Sequence, residues 1–208
     1  MITLSLLNVV NVEVKSDVFA DDPALCKFLI SGDEYVDDSD KNRSRIGKIR
    51  AVELLLRAGV SRDKLQSLRK SEKGRWFLPD SGMDFNVSHS HDFVVCAVSN
   101  NSMVGVDIEK YRPLDWNTFR DCFTRDEFTA IVGSRKSDQY FFNLWTKKES
   151  LLKAWGDGLS TDPANAIIEG DEGYIKGTTK RGYFHVIAVE GYSCVVCSTT
   201  PNQTVQIV

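Results

Sequence analysis

Apolar and polar side chains alternate with a period of two along Val104-Gly105-Val106-Asp107-Ile108-Glu109, the pattern of a half-buried β-strand. Successive side chains of a strand point to opposite faces. Val104, Val106 and Ile108 therefore face a core, and Gly105, Asp107 and Glu109 face away from it. Two carboxylates two positions apart stand roughly 7 Å apart at the backbone, and together they can reach one hard cation that takes oxygen ligands. Gly105 leaves room for something bulky against that face. An edge strand with a solvated polar face explains the same alternation. The period recurs over 84–90, where Phe85 and Val87 point inward, Asn86, Ser88 and Ser90 point outward, and His89 falls at the strand end. Further strands are predicted over 1–15, 93–99, 166–169, 173–176, 183–190, 192–199 and 203–208. Asn100-Asn101-Ser102 is turn chemistry, so a hairpin is predicted to deliver Asp107 and Glu109.

Helical spacing governs the intervening segments. A short helix is predicted over 24–30, followed by an acidic loop over 31–40. The next helix opens at Lys41, capped by Asp40 or Ser39. It is apolar at Ile46, Ile49, Val52 and Leu56 and ends at Gly59. Its first turns carry Lys41, Arg43, Arg45, Lys48 and Arg50 without an acid. Cations at a helix start oppose the helix dipole, which points to a phosphate partner, with a solvated face as the alternative. Ser61 caps a shorter helix. Thr124 caps one over 125–132, with Glu127 near its start, where the dipole favours a carboxylate. The longest helix runs from about Ser137 to Trp155, with Tyr140, Phe141, Leu144, Trp145, Leu151, Leu152 and Trp155 as its apolar positions and Gly156-Asp157-Gly158 as its stop. Glu149 and Lys153 lie one turn apart on it, either as a surface pair worth roughly 0.3 kcal/mol or as a catalytic pair.

Composition narrows the class. The chain has 208 residues, 42% hydrophobic and 26% charged, with a net charge of -3. That suits a globular protein of two α+β halves, 1–102 and 103–208, and makes no global demand for nucleic acid or an anionic membrane. Val94-Val95-Cys96 and Val195-Val196-Cys197 form a weak internal echo of the two halves. Five cysteines at irregular spacing argue for a reducing cytoplasm rather than a disulfide framework. Cys194 and Cys197 form a CxxC inside a strand-like run with no second pair to complete a zinc site. No signal peptide or bilayer-spanning run is evident.

Taken in order, a basic helix, Gly74-Arg75-Trp76, FNVSHS (85–90), GVDIE (105–109), FTRDE (123–127) and WTKKESLLKAWGDGL (145–159) resemble the 4'-phosphopantetheinyl transferases of the surfactin-synthetase-activating (Sfp-like) type. The resemblance implies a pseudo-dimer of two similar α+β halves, 1–102 and 103–208, with coenzyme A in the cleft between them. It implies magnesium on Asp107, Glu109 and Glu149, bridging to the coenzyme A diphosphate. The implied reaction moves phosphopantetheine to a serine of an apo acyl, peptidyl or aryl carrier protein and releases adenosine 3',5'-bisphosphate. By motif position Arg43, Ser88 and His89 contact coenzyme A phosphates, and Lys153 is a catalytic or phosphate-binding lysine. Arg75 keeps the charge of the lysine in the family's Gly-Lys-Pro loop. Glu149 is the first choice of general base, and Glu127 is a candidate supporting residue. Asp33, Glu34, Asp37, Asp38 and Asp40 stand where the family often carries bases.

Lys136, Lys147 and Lys148, with aromatics near Tyr140, form a candidate strip for an acidic carrier. A two-half chain completes its own cleft, so a monomer is expected. A non-catalytic coenzyme A or carrier-binding module and a magnesium-dependent nucleotide phosphohydrolase are the competing readings.

Overall fold

The computed structural model describes residues 1–10, 12, 22–30, 37–156 and 161–208. In chain order they form β1 (Ile2–Asn8), α1 (Pro23–Ile30), α2 (Asp38–Arg57), α3 (Arg62–Leu65), β2 (Arg69–Lys70), β3 (Trp76–Phe77), β4 (Asp84–Ser90), β5 (Phe93–Ser99) and β6 (Val104–Lys110). A 3₁₀ turn over Trp116–Cys122 leads to α4 (Arg125–Gly133) and α5 (Ser137–Trp155). After it come β7 (Ala166–Glu169), β8 (Glu172–Ile175), β9 (Arg181–Val186), β10 (Tyr192–Ser198) and β11 (Val205–Ile207).

Two sheets organise this mixed α and β chain. One has the order β11-β1-β5-β4 and the other β6-β10-β9-β8-β7. They pack face to face through Ile2, Leu4, Val95 and Ala97 on one side and Val104, Val106, Ile108, Cys194 and Val196 on the other. The outer face of the first sheet is covered by α1 and α2 through Phe28, Val52, Leu55, Phe85 and Val98. The outer face of the second is covered by α5 through Leu151, Leu152, Val195 and Cys197. Cys194 and Cys197 thus face different layers, and both are free thiols whose pKa burial pushes up.

Several sequence expectations are corrected. β5 and β6 are not a hairpin: β5 pairs with β1 and β4, whereas β6 pairs with β10. The turn at 100–103 carries the chain from one sheet to the other, because a local turn signal does not choose the strand's partner. The chain does not stay in the second sheet either, since β11 returns to pair in parallel with β1. α2 begins at Asp38, capped by Asp37, with Asp38 and Asp40 in its first turn. The acids occupy the positive helix end and the basic residues follow inside, so the dipole conflict is absent. The first strand ends at Asn8, and most of the segment read as its continuation lies outside the described residues, as do Asp33, Glu34, Asp157 and Gly158. Tyr140, expected on the apolar face of α5, is exposed.

The polar face of β4 is only partly open to solvent. β6 is an edge strand with N–H groups left over from its pairing with β10, and β4 side chains satisfy them. Val104 N donates to Asp84 Oδ2 (2.7 Å), Val106 N to Asn86 Oδ1 (2.9 Å) and Lys110 N to Ser90 Oγ (3.2 Å). Each acceptor lies 20 positions earlier in the chain than its donor, so β4 and β6 run side by side in one fixed register, joined by side chains in place of carbonyls.

Candidate active site

A cleft of about 600 Å³ opens along this seam. Its first wall comes from α2, the turn at 73–76 and β4. Its second wall comes from β6 and α5. Gly105 explains how the second wall is built. A Cβ there would collide with the Ser150 carbonyl oxygen and the Ala154 nitrogen, so α5 lies directly on the strand. The room that the missing side chain leaves is filled by helix backbone, not by a ligand.

That contact brings Lys153 over Asp107. Asp107 is buried, and its Oδ1 accepts from Lys153 Nζ at 2.6 Å and from Ser88 Oγ at 2.9 Å. Lys153 therefore pairs with the strand carboxylate rather than with Glu149 one turn away. Asp107 Oδ2 and Glu149 Oε1 are buried with no hydrogen-bond partner among the described residues. Glu109 accepts from Ser90 Oγ at 3.2 Å and from Arg112 at 3.4 Å. Burial raises the pKa of both Glu109 and Glu149, and the Asp107 charge raises each further. Burial pulls Lys153 down, but Asp107 and Glu149 outweigh it and hold the ammonium above the ordinary lysine value. The cleft therefore sets three crowded carboxylates beside a firmly protonated lysine.

As the side chains stand, no three His, Cys, Asp or Glu groups among the described residues form a ready metal cluster. The donor set nevertheless suits a hard cation. It offers carboxylate oxygens from a strand and a helix, two of them buried and without a hydrogen-bond partner among the described residues, and a bound cation would relieve their mutual repulsion.

The other predicted residues divide. Ser88 is taken up by Asp107, and it also accepts from Lys153 at 3.3 Å. Arg75 donates to Asp84 Oδ2, to the carbonyls of Phe85 and Val104, and at short range to the carbonyl of Lys153. It clamps β4, β6 and the end of α5 together, and both terminal nitrogens of its fork are occupied. Arg43 pairs with Asp40, one helical turn back. His89 lines the cleft with Asp40 3.8 Å away. Burial lowers its pKa to about 4, so the ring is a neutral donor near pH 7. Lys73, unnoticed in the sequence, also lines the cleft. Its only signal was a basic residue directly before Gly74-Arg75.

Glu127 does not reach the cleft cluster. It closes a capping box with Thr124 and pairs at 2.9 Å with Lys148, which is fully buried. Lys148 also donates to the carbonyls of Pro163 and Ala166. It is therefore removed from the candidate carrier strip. Lys147 is tied to the Gly170 carbonyl, leaving Lys136 and Tyr140 exposed. Thr124→Ala should lower stability by about 1 kcal/mol through loss of the cap. A shifted urea midpoint with an unchanged reaction rate would bear this out, and an unchanged midpoint would exclude the cap's contribution.

The cleft sets carboxylates of β6 and α5 against polar side chains of β4, and comparison with known proteins gives its class. Residues 103–197 match the family model described as 4'-phosphopantetheinyl transferase superfamily. The 4'-phosphopantetheinyl transferase gsp of Aneurinibacillus migulanus is 31% identical over 178 residues, covering 82% of this chain and 74% of the relative. The 4'-phosphopantetheinyl transferase Sfp of Bacillus subtilis (strain 168) is 35% identical over 178 residues, covering 78% of this chain and 76% of the relative. A shorter match, 37% over 99 residues, is to the L-aminoadipate-semialdehyde dehydrogenase-phosphopantetheinyl transferase of Schizosaccharomyces pombe, covering 41% of this chain and 38% of the relative. The chain belongs to the 4'-phosphopantetheinyl transferase superfamily, in the Sfp-like type, and is a transferase.

Proposed function

We propose that the protein transfers 4'-phosphopantetheine from coenzyme A to a serine of an apo carrier protein and releases adenosine 3',5'-bisphosphate. The observation that carries this reading is the pair of buried carboxylate oxygens of Asp107 and Glu149, without a hydrogen-bond partner among the described residues, beside the protonated Lys153. Coenzyme A lies between the two halves, 1–102 and 103–208, which act as a pseudo-dimer. Asp107, Glu109 and Glu149 would hold magnesium, which when bound neutralises charge on the diphosphate.

The residues of the chain align the reaction. The carrier serine hydroxyl attacks the phosphorus that bears pantetheine, and its proton passes to Glu149. The bond from that phosphorus to the bridging oxygen breaks, and the electron pair leaves with adenosine 3',5'-bisphosphate. Lys153, held by Asp107, faces the charge that develops there. His89, which lines the cleft, and Arg43, once released from Asp40, would contact coenzyme A phosphates. One chain supplies both walls, so the active form is a monomer. A two-chain mass at working concentration would overturn that. The five free thiols suit a reducing cytoplasm. Among the described residues no helix is long and apolar enough to cross a membrane.

Intact-mass spectrometry of apo carrier proteins tests the reaction. Incubation with the protein, coenzyme A and magnesium should add the mass of phosphopantetheine, and chelator or Asp107→Ala should prevent it. No gain on fatty-acid, polyketide or peptide carriers, with coenzyme A still bound, would replace the transferase reading with a binding module. Free phosphopantetheine without a carrier would indicate a hydrolase.

A further inference from the structure

Two serines of β4 meet the two carboxylates of β6 at one regular offset. Ser88 Oγ donates to Asp107 Oδ1 at 2.9 Å, and Ser90 Oγ donates to Glu109 Oε2 at 3.2 Å. Each carboxylate lies 19 positions after its serine. Both serines are buried, and each takes only one oxygen of its partner. At Asp107 the second donor, Lys153, goes to the same Oδ1, and Oδ2 is left without a hydrogen-bond partner among the described residues. At Glu109 the second donor, Arg112, likewise goes to the same Oε2, at 3.4 Å. No hydrogen bond joins Glu109 Oε1 to another described residue. Glu109 lines the cleft, and Ser90 stands behind it, outside the cleft lining.

The surroundings of Ser90 give its hydroxyl a direction. A serine hydroxyl has one hydrogen and two lone pairs. Lys110 N donates into one lone pair at 3.2 Å. His91 Nδ1 stands 3.4 Å from the same oxygen, where a ring N–H would fill the other. The hydrogen is left for the carboxylate, and a bond to a charged acceptor is the stronger choice. Arg112 is the looser partner of Glu109. Its side chain is 43% exposed, and it is shared with the Lys110 carbonyl and the face of the Phe142 ring. We propose that Ser90 is a positioning residue of the cation site, whose hydroxyl holds Oε2 of Glu109 and leaves Oε1 to the cation. A group behind a metal ligand fixes the ligand's orientation and strengthens the site without touching the ion. The inference rests on the reading of Asp107, Glu109 and Glu149 as that site.

Two variants separate this role from support of the strand. Ser90→Ala removes the hydroxyl, and Ser90→Thr keeps it. The probe is Mn²⁺, titrated into each protein with coenzyme A in excess and no carrier, and read as free ion by electron paramagnetic resonance against a coenzyme A blank. Melting curves in chelator are taken alongside. Ser90→Ala should bind Mn²⁺ about 10- to 100-fold more weakly than the wild type, the scale of losing a group behind a metal ligand. It should also melt about 2–4 °C lower, because Lys110 N loses its acceptor. Ser90→Thr should restore both. Wild-type Mn²⁺ affinity in Ser90→Ala, with or without the lower melting temperature, would leave Ser90 a bracket of β6 and overturn the proposal. An equal loss of Mn²⁺ affinity in Ser90→Thr would show that the hydroxyl is not the cause and overturn it too. Wild-type protein that takes up no Mn²⁺ would overturn the reading of the carboxylates as a cation site, and this inference with it.

Discussion

Glu149→Gln should slow phosphopantetheine transfer by about 10²–10⁴-fold, the range for loss of a general base, and leave the protein no less stable than its parent. The carboxylate sits where chemistry, not folding, needs a charge. Its Oε1 is buried without a partner among the described residues. Burial raises its pKa, Asp107 raises it further, and Lys153 offsets only part of this. An acid with a raised folded-state pKa binds its proton more tightly folded than unfolded. Its contribution to stability is complete below the ordinary value of 4.5 and is lost as pH rises through the folded value. In chelator, wild-type urea midpoints should therefore fall as pH rises above the ordinary value of 4.5 and through the raised folded value, and the glutamine variant should fall less. Crowding of this kind is destabilising but keeps the site ready for a cation and a proton. Transfer at near-normal rates in the variant would remove Glu149 from the mechanism. A steep loss of stability in the variant would make it a structural residue.

Gly105→Ala should act through packing and reach the chemistry indirectly. The added methyl group would overlap the Ser150 carbonyl oxygen and the Ala154 nitrogen. Both are helix backbone, which has no rotamer to move aside. α5 must shift as a body, at the upper end of overpacking costs, about 3 kcal/mol. For a chain of this size that lowers the melting temperature by about 6–12 °C. The same helix carries Glu149 and Lys153, so the 2.6 Å contact between Lys153 and Asp107 opens as well. Turnover should fall together with stability, although no reacting group has changed. Parent-like melting and turnover would show that β6 and α5 are not in the contact described.

The two predictions differ in how visible their basis was in the chain. Glu149 and Lys153 stand one turn apart on a helix whose limits, Ser137 and Trp155, were readable from apolar spacing and the following glycine. Thr124 announced its cap in the same way. Asp107 and Glu109 were placed on one strand face by alternation alone. These features depend on neighbours within a few residues, and local periodicity reports them well. The role of Gly105 was only half visible: it called for a close approach, but what approached was α5 from 45 positions further along, at Ser150.

Partner choice across the chain was not written locally. Asn100-Asn101-Ser102 looked like the turn of a hairpin, yet β6 found its partner in β10, with Val195 opposite Asp107. Lys147 and Lys148 are consecutive basic residues that looked alike. About 100° of helical rotation sent Lys148 into a buried pair with Glu127 and left Lys147 to a surface carbonyl. Arg43, Arg75 and Ser88 carried the right chemistry for phosphates, but Asp40, Asp84 and Asp107 lay close enough to engage them. By itself the sequence determined most of the elements and the family, because periodicity and motif spacing are properties of short stretches. The tertiary structure alone decided which polar groups serve the seam and which face the cleft. An unpaired strand edge must take its hydrogen bonds from whatever packs beside it, and here that neighbour was the polar face of β4.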